Sequence, residues 1–148
     1  SSGRSKILPP VVGAIDYIFE KYSVEPRGKR AVVLGAGRRV GKPVAAWLIN
    51  CGAAVTVIDE NAADPTLHTI DADILISGAG VPGLIKSNMG KEGVVAVDCG
   101  TSESAGKVVG DLDPAVAEKA SLFTPVPGGV GPLTVAMLFK NLVELSRK

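Results

Sequence analysis

Aromatic residues are scarce, with one Trp, two Tyr and three Phe making up 4 % of 148 residues. A core with so few rings must be aliphatic, and Val, Ile, Leu and Ala carry most of the 46 % apolar fraction. Together with 18 glycines this suits one α/β domain whose parallel sheet is covered on both faces. An excess of either charge is also missing. Sixteen basic residues against 15 acidic ones leave a net charge of +1, so nothing argues for nucleic acid or an anionic membrane as partner. No apolar run is long enough to span a bilayer, and no secretory leader is visible. The two cysteines, Cys51 and Cys99, lack metal-ligand spacing. Free thiols in a reducing, cytoplasmic compartment are therefore expected, and no metal site. His68 is the only histidine, and it is assigned no role.

What the sequence does contain is concentrated at Ala31–Pro43, AVVLGAGRRVGKP. Four apolar residues run into Gly35, Gly37 and Gly41, and an apolar helical segment, Val44–Ile49, follows. Strand, glycine turn and helix together set a phosphate against a helix N-terminus, where free N–H groups and the dipole favour an anion. Gly35 and Gly37 allow a sharp turn and close approach of a pyrophosphate. The spacing is G-x-G-x-x-x-G, so the glycines alone are a weak signal. The next segment strengthens it. Ala54–Ile58 reads as a second buried strand ending at Asp59 and Glu60, and Asp59 falls 24 residues after Gly35. An acid there is placed to hold the adenosine ribose of a dinucleotide.

Elsewhere the chain alternates in the same way. A helix starting near Ser5 carries Val12, Ile15, Phe19 and Tyr22 on one stripe, with Tyr17 and Lys21 on a solvated face. Asn61–Asp71 reads as a loop or short helix, and Asp73–Ser77 as a third strand running into Gly78-Ala79-Gly80. Small residues at that end of a parallel strand leave room for a ligand. Val94–Cys99 is a fourth strand. Ser102–Lys107 is expected to loop out, and Val108–Asp111 to be half of a hairpin. Asp113-Pro114 opens a helix running to about Ala120. Leu122–Thr124 is the last strand, and a long final helix has Val135, Leu138, Leu142 and Leu145 as its apolar stripe and Arg147 and Lys148 at its end. Between them, three prolines and three glycines within Pro125–Pro132 fix a loop in one unusual shape. Such a loop is suited to presenting backbone groups to a ligand.

Thr124–Thr134, TPVPGGVGPLT, resembles the C-terminal signature of the methylenetetrahydrofolate dehydrogenase/cyclohydrolase family, with Leu133 in place of the usual methionine. The resemblance extends through VVLGAGRRVGKP, AVTVIDEN, ADILISGAG, GVVAVDCGT and VVGDLD, about 120 residues from Gly28 to Arg147. It implies a Rossmann-like, doubly wound, mainly parallel sheet with helices on both faces, binding a nicotinamide cofactor. It also implies a family chemistry: hydride transfer from methylenetetrahydrofolate, often followed by hydrolysis of the methenyl product. The cofactor-binding residues it implies are Gly35, Ala36, Gly37, Arg38, Arg39, Val40, Gly41, Asp59, Gly78, Gly80, Thr101 and Thr134. Pro127, Gly128 and Gly129 are implied at the substrate.

Two departures from the family pattern carry information. The usual Arg-Ser of the nucleotide loop, where the arginine meets the 2′-phosphate of NADP, is Ala36-Gly37, and the usual histidine after the second strand is Asp59. A carboxylate accepts hydrogen bonds from a ribose diol and repels a 2′-phosphate, so NAD is expected ahead of NADP. Arg38 and Arg39 act in the other direction, since a guanidinium can bind phosphate. The second departure is larger: the family's N-terminal domain, with its catalytic tyrosine and lysine and most folate contacts, has no counterpart here. Tyr17 and Lys21 lie in the wrong element to replace that pair, and Leu8–Gly13 does not keep the family's proline-rich linker motif. Residues 1–27 thus read as an expression remnant (Ser1–Gly3) and linker helix, and 28–148 as the NAD(P)-binding domain. No catalytic residue is expected in this chain. It would be the cofactor half of the enzyme, inactive alone, meeting folate through the other domain and pairing as a homodimer through the Rossmann domain. The alternative is a standalone nucleotide-binding or scaffold module that has lost folate chemistry.

Overall fold

A computed structural model describes residues 7–59 and 61–147. Ser1–Gly3, Ser5, Glu60 and Lys148 lie outside the described residues. Five parallel strands form the sheet: β1 (Arg30–Leu34), β2 (Ala54–Ile58), β3 (Ile74–Ser77), β4 (Val95–Asp98) and a short last strand (Leu122–Phe123). Their order across the sheet is β2, β1, β3, β4, last strand. The chain leaves β1 toward β2 on one side and returns to β3 on the other, so the winding reverses between β1 and β3. This is the Rossmann-like α/β arrangement expected from the sequence, and open sheets of this type bind ligands outside the carboxyl ends of such strands.

Side-chain alternation divides the core between the two faces of the sheet. Ala31, Val33, Ile74, Ile76 and Val97 face α1 (Pro10–Lys21), α2 (Gly41–Asn50) and the C-terminal helix (Val130–Ser146). Val32, Leu34, Leu75, Val94 and Ala96 face the opposite side, under Ile85, Met89, Leu112 and Val116. That second face is covered by α3 (Thr66–Thr69), two 3₁₀ turns (Ser87–Met89 and Pro114–Glu118) and the loops between them. The few rings are used economically. Phe19 of α1 meets Trp47 of α2, with centroids 5.7 Å apart. Gly13 lets α1 close on the C-terminal helix, since a Cβ there would lie 3.3 Å from Met137.

Several elements differ from expectation. The first helix begins at Pro10, with Pro9 as N-cap, and of its expected stripe Tyr22 is exposed. Tyr17 is on the exposed side, as expected. Strand β2 is not buried: it forms one edge of the sheet, only Ile58 is fully covered, and Val57 is exposed. Ser102–Ser104 (β5) does not loop out but pairs antiparallel with Lys107–Val109 (β6) as a hairpin. The segment after Asp113 is a 3₁₀ turn rather than an α-helix, although Asp113 does cap it by accepting from the Ala115 N–H at 2.9 Å. The largest difference is in the final helix. Val135, Leu138, Leu142 and Leu145 are between 49 and 55 % exposed. The face packed on the body carries Val130, Leu133 and Met137, with Asn141 donating to the Leu8 carbonyl at 3.0 Å. Both faces are apolar, so periodicity could not tell which one this domain covers.

At the amino edge of the sheet, Asp73 joins three elements. Its carboxylate accepts from Lys91 Nζ at 2.6 Å and from the Arg30 N–H at 2.9 Å. These bonds, with Lys91 the larger effect, hold its pKa below the usual value. A depressed carboxylate pKa stabilises the fold above the unfolded value of about 3.9, and that stability is lost as pH falls through the folded value. Asp73→Asn should therefore cost about 1 kcal/mol or less at pH 7, because the pair is partly exposed. It should also flatten the loss of thermal stability between pH 5 and pH 3, as followed by melting curves across that range.

Candidate functional site

The site begins where β1 ends. The Gly35 N–H donates to the Ile58 carbonyl at 2.7 Å, and Gly35 takes φ +97°. A Cβ on Gly35 would lie 2.8 Å from the Gly78 carbonyl. One on Gly41 would overlap the Gly35 carbonyl, and one on Gly78 would overlap the Val40 side chain. These three glycines are therefore demanded by packing between the β1 and β3 loops. Gly37 and Gly80 are different, because a Cβ on either would meet nothing. They face open space at the edge where the winding reverses. Helix α2 starts at Gly41 with Val40 as N-cap, without a side-chain cap bond and without an acid in its first turn. Its N-terminus thus presents N–H groups and a positive dipole end to that space.

Beside this loop lies a cavity of about 670 Å³. Its walls are Arg38, Arg39 and Val40 from the glycine loop, Cys99–Thr101 from the end of β4, Pro9 and Pro10 from the start of α1, and Pro125–Pro132 with Thr134. The lining is mostly apolar, with Arg38, Arg39, Asp98, Thr101 and Thr134 as its polar members, in the size range of small-molecule sites. The Val126–Pro127 peptide is cis, Gly128 has φ +98°, and a Cβ on Gly129 would overlap the Pro125 carbonyl. The Thr134 hydroxyl donates to the Val130 carbonyl at 2.9 Å within the helix.

Two buried carboxylates hold the floor. Asp98, 2 % exposed, accepts from the N–H groups of Gly100 at 2.8 Å, Asp111 at 3.1 Å and Leu112 at 2.9 Å. Asp111, fully buried, accepts from Ser77 Oγ at 2.7 Å and from the N–H groups of Ala79, Gly80 and Val81 at 2.8, 3.3 and 3.0 Å. Burial pushes the Asp98 pKa up, against the pull of its three N–H donors. Burial, helped by Asp98 and Asp111, pushes the neighbouring Cys99 thiol up to about 12. A thiol that reluctant to ionise is not a nucleophile at neutral pH. Sequence reading missed these two carboxylates as site elements. The only signals were the adjacent pairs Gly110-Asp111 and Cys99-Gly100, where a small residue admits a carboxylate; a Cβ on Gly100 or Gly110 would overlap Asp111 or Asp98.

The structure thus brings Arg38, Arg39, Val40, Thr101, Thr134, Pro127, Gly128 and Gly129 into one cavity. Gly35, Ala36, Gly37, Gly41, Gly78 and Gly80 form the adjoining loops and are not in its lining. Asp59 is exposed at the end of β2, outside the cavity, with Oδ1 accepting from the Asn61 N–H at 2.7 Å. His68 is exposed on α3. Among the described residues no cluster of His, Cys, Asp and Glu could hold a metal, and no helix is long and apolar enough to cross a membrane.

A parallel α/β sheet, a glycine loop opening a helix at the reversal point, and a shaped cavity beside it define the class of dinucleotide-binding domains. Comparison with known proteins narrows the class. A sequence model described as the NAD(P)-binding domain of tetrahydrofolate dehydrogenase/cyclohydrolase matches residues 9–148, and the chain belongs to that family. The bifunctional protein FolD of Aliarcobacter butzleri is 43 % identical over 148 residues, covering 99 % of this chain and 52 % of that protein. The crystal structure of the bifunctional FolD methylenetetrahydrofolate dehydrogenase/cyclohydrolase from Campylobacter jejuni superposes with a TM-score of 0.90 at 43 % identity, over 95 % of this chain and 51 % of that one. The Trypanosoma brucei FolD, complexed with NADP and an inhibitor, gives 0.86 at 40 % identity, over 92 % and 49 %. The NAD-dependent 5,10-methylenetetrahydrofolate dehydrogenase of Saccharomyces cerevisiae gives 0.74 at 27 % identity, over 100 % and 57 %. The chain spans about half the length of the curated relatives it matches.

The two kinds of glycine in the loop should separate experimentally. Gly41→Ala forces a methyl into the Gly35 carbonyl and should destabilise the fold by more than about 2 kcal/mol. Gly37→Ala adds a methyl to open space and should cost less than about 1 kcal/mol. Thermal unfolding of the two variants checks this, and equal losses would contradict the packing account.

Proposed function

We propose that this chain is the cofactor half of a methylenetetrahydrofolate dehydrogenase/methenyltetrahydrofolate cyclohydrolase, that it takes NAD in preference to NADP, and that it does not turn over alone. The observation that carries the reading is the junction of two loops: the glycine loop and the Pro125–Pro132 loop line one cavity at the carboxyl edge of the sheet. In this reading the N-terminus of α2, with Gly35, Ala36, Gly37 and Gly41, holds the pyrophosphate, and the open space over Gly37 and Gly80 admits it without a Cβ in the way. Gly78, Thr101 and Thr134 border the nicotinamide end, and Pro127, Gly128 and Gly129 face the folate. The bound cofactor supplies hydride acceptance; the chain's own residues orient it and exclude water. Residues 28–148 hold the nucleotide site, and α1 connects it to a folate-binding half. The two free cysteines support a reducing, cytoplasmic setting.

Charge supports NAD. Asp59 ends β2 directly beside Gly35, whose N–H bonds the residue before it. The Asn61 N–H fixes one of its oxygens. A carboxylate there welcomes the ribose hydroxyls and repels a 2′-phosphate. Arg38 and Arg39 line the cavity shared with the Pro125–Pro132 loop, and Asp59 lies outside it. That placement suits pyrophosphate or substrate charge better than a 2′-phosphate. The NADP in the Trypanosoma brucei structure pulls the other way, and the yeast NAD-dependent enzyme shows that both cofactors occur among relatives. Calorimetric titration decides the matter: NAD should bind more tightly than NADP, and Asp59→Ala should erase or reverse that order. Tighter NADP binding by the unmutated chain would reject the preference.

The exposed face of the C-terminal helix supports the half-enzyme reading. Val135, Leu138, Phe139, Leu142 and Val143 are 49 to 65 % exposed, an apolar strip that a monomeric domain rarely leaves uncovered. We assign its cover to a folate-binding half like the one that relatives carry in their remaining length. We assign a second copy instead to the open edge of β2, where Val57, Leu67 and Ile70 are exposed. Methylenetetrahydrofolate-dependent NADH formation should be absent in the chain alone and appear in a fusion to the first half of the Campylobacter jejuni enzyme. Phe139→Glu should weaken the fused activity at least about 10-fold. Turnover by the chain alone, or indifference to Phe139→Glu, would favour a standalone module.

A further inference from the structure

Asp111 belongs to none of the loops that reach the proposed cofactor, yet it sits behind all of them. Its Oδ2 accepts from Ser77 Oγ and from the Ala79 and Gly80 N–H groups, and its Oδ1 from the Val81 N–H. Three successive backbone N–H groups curled around one anion form a nest, a shape that in nucleotide-binding loops receives a phosphate. Here the nest is filled by the protein's own carboxylate, fully buried and without a basic side chain among its hydrogen-bond partners. A buried carboxylate with this many donors has both oxygens hydrogen-bonded. It also fixes every donor in place, since an orphaned buried N–H is costly.

What it fixes is the surface against which the glycine loop is built. Gly78, between Ser77 and Ala79, packs so closely on Val40 and Gly35 that a Cβ on it would overlap Val40, and one on Gly35 would lie 2.8 Å from the Gly78 carbonyl. Asp98 holds Asp111 in turn by accepting its N–H at 3.1 Å, and it also accepts from Gly100 beside Thr101. The Asp98 N–H donates to Thr124 Oγ1 at 2.8 Å, where the Pro125–Pro132 loop begins. One chain of buried bonds therefore runs from the β3 loop through the β4 loop to the last loop, and the β1 loop packs against its first member.

We propose that Asp111 is the positioning residue of the cofactor site: an internal carboxylate that occupies the β3-loop nest, locks that loop, and through Gly78 and Val40 sets the shape of the Gly35–Gly41 cradle. A corollary concerns the ligand. With the β3 nest filled, the cofactor's phosphates are left to the α2 N-terminus alone. This inference rests on the nucleotide-binding reading above.

The test compares Asp111→Asn with Val116→Ala, a cavity-forming change in the core on the far side of the sheet from α2. An asparagine keeps the size but has one acceptor oxygen, so either orientation turns an NH₂ toward N–H donors. NADH affinity is read by fluorescence titration, and amide hydrogen exchange is read at 79–81 and at 36–41. Asp111→Asn should weaken NADH at least about 10-fold and speed exchange in both loops. Val116→Ala should lower the melting temperature but leave the NADH Kd and both loops unchanged. If Asp111→Asn matches Val116→Ala in Kd and loop exchange, the proposal is overturned. Should Asp111→Asn not fold, Ser77→Ala decides. It removes one donor and should weaken NADH about 3-fold with faster exchange at 79–81; no change in either sinks the idea. If the unmutated chain binds neither NADH nor NADPH, the nucleotide reading has failed, and loop exchange alone decides the role of Asp111.

Discussion

Parallel strands that end side by side leave their last N–H and C=O groups at one edge, and the loops leaving that edge must satisfy those groups without filling the space a ligand needs. In this domain two buried carboxylates meet that constraint. Asp98 takes the N–H groups of Gly100, Asp111 and Leu112, and Asp111 takes those of Ala79, Gly80 and Val81 together with the Ser77 hydroxyl. Unpaired, a carboxylate at that depth would be strongly unfavourable; surrounded by donors, it becomes the rigid centre of four loops. The raised pKa of Asp98 shows burial still outweighing the hydrogen bonds offered to it. Net stability is therefore supplied elsewhere, by the aliphatic layers on either side of the sheet, and the carboxylates supply shape.

That division explains what the sequence disclosed. Local chemistry was readable. Glycines at 35 and 41 and the proline-glycine run at 125–132 each demand a particular backbone, the acid after β2 is a local charge signal, and the structure places all of them along one edge. The sheet and its winding followed from strand composition and from family resemblance. Features that depend on a neighbour in space were not readable. Nothing within Ala54–Ile58 tells a strand with two neighbours from one with a single neighbour, so β2 read as buried although it lies at the edge. The C-terminal helix offers two apolar faces, and only the arrival of α1 selects Leu133 and Met137 over Leu138 and Leu142. Asp111 pairs with a turn more than 30 residues away, and no local pattern announces that.

The two apolar surfaces left over differ in kind. The β2 edge combines unpaired strand backbone with Val57, Leu67 and Ile70, the sort of surface that symmetric pairing closes. The strip on the C-terminal helix is a continuous ridge on a 17-residue helix whose other side is already in the core. That ridge, in a chain spanning about half of its relatives, is the feature on which the proposal of a second, folate-binding half rests.

In the proposed reading, cofactor choice and cofactor geometry are assigned to different residues. Asp59 is exposed on its own turn, held by one bond to Asn61, and can change identity without disturbing the loops behind it. Asp111 is buried and bonded to the β3 loop on which the Gly35–Gly41 cradle packs, and cannot. On that proposal, charge at the rim can vary while the buried network keeps the loops behind it in place. Two of the departures from the family pattern fit this division. Ala36, Gly37 and Asp59 lie on the loops outside the cavity floor, whereas Asp98, Gly100, Gly110 and Asp111 interlock so closely that a single methyl on either glycine would overlap a carboxylate.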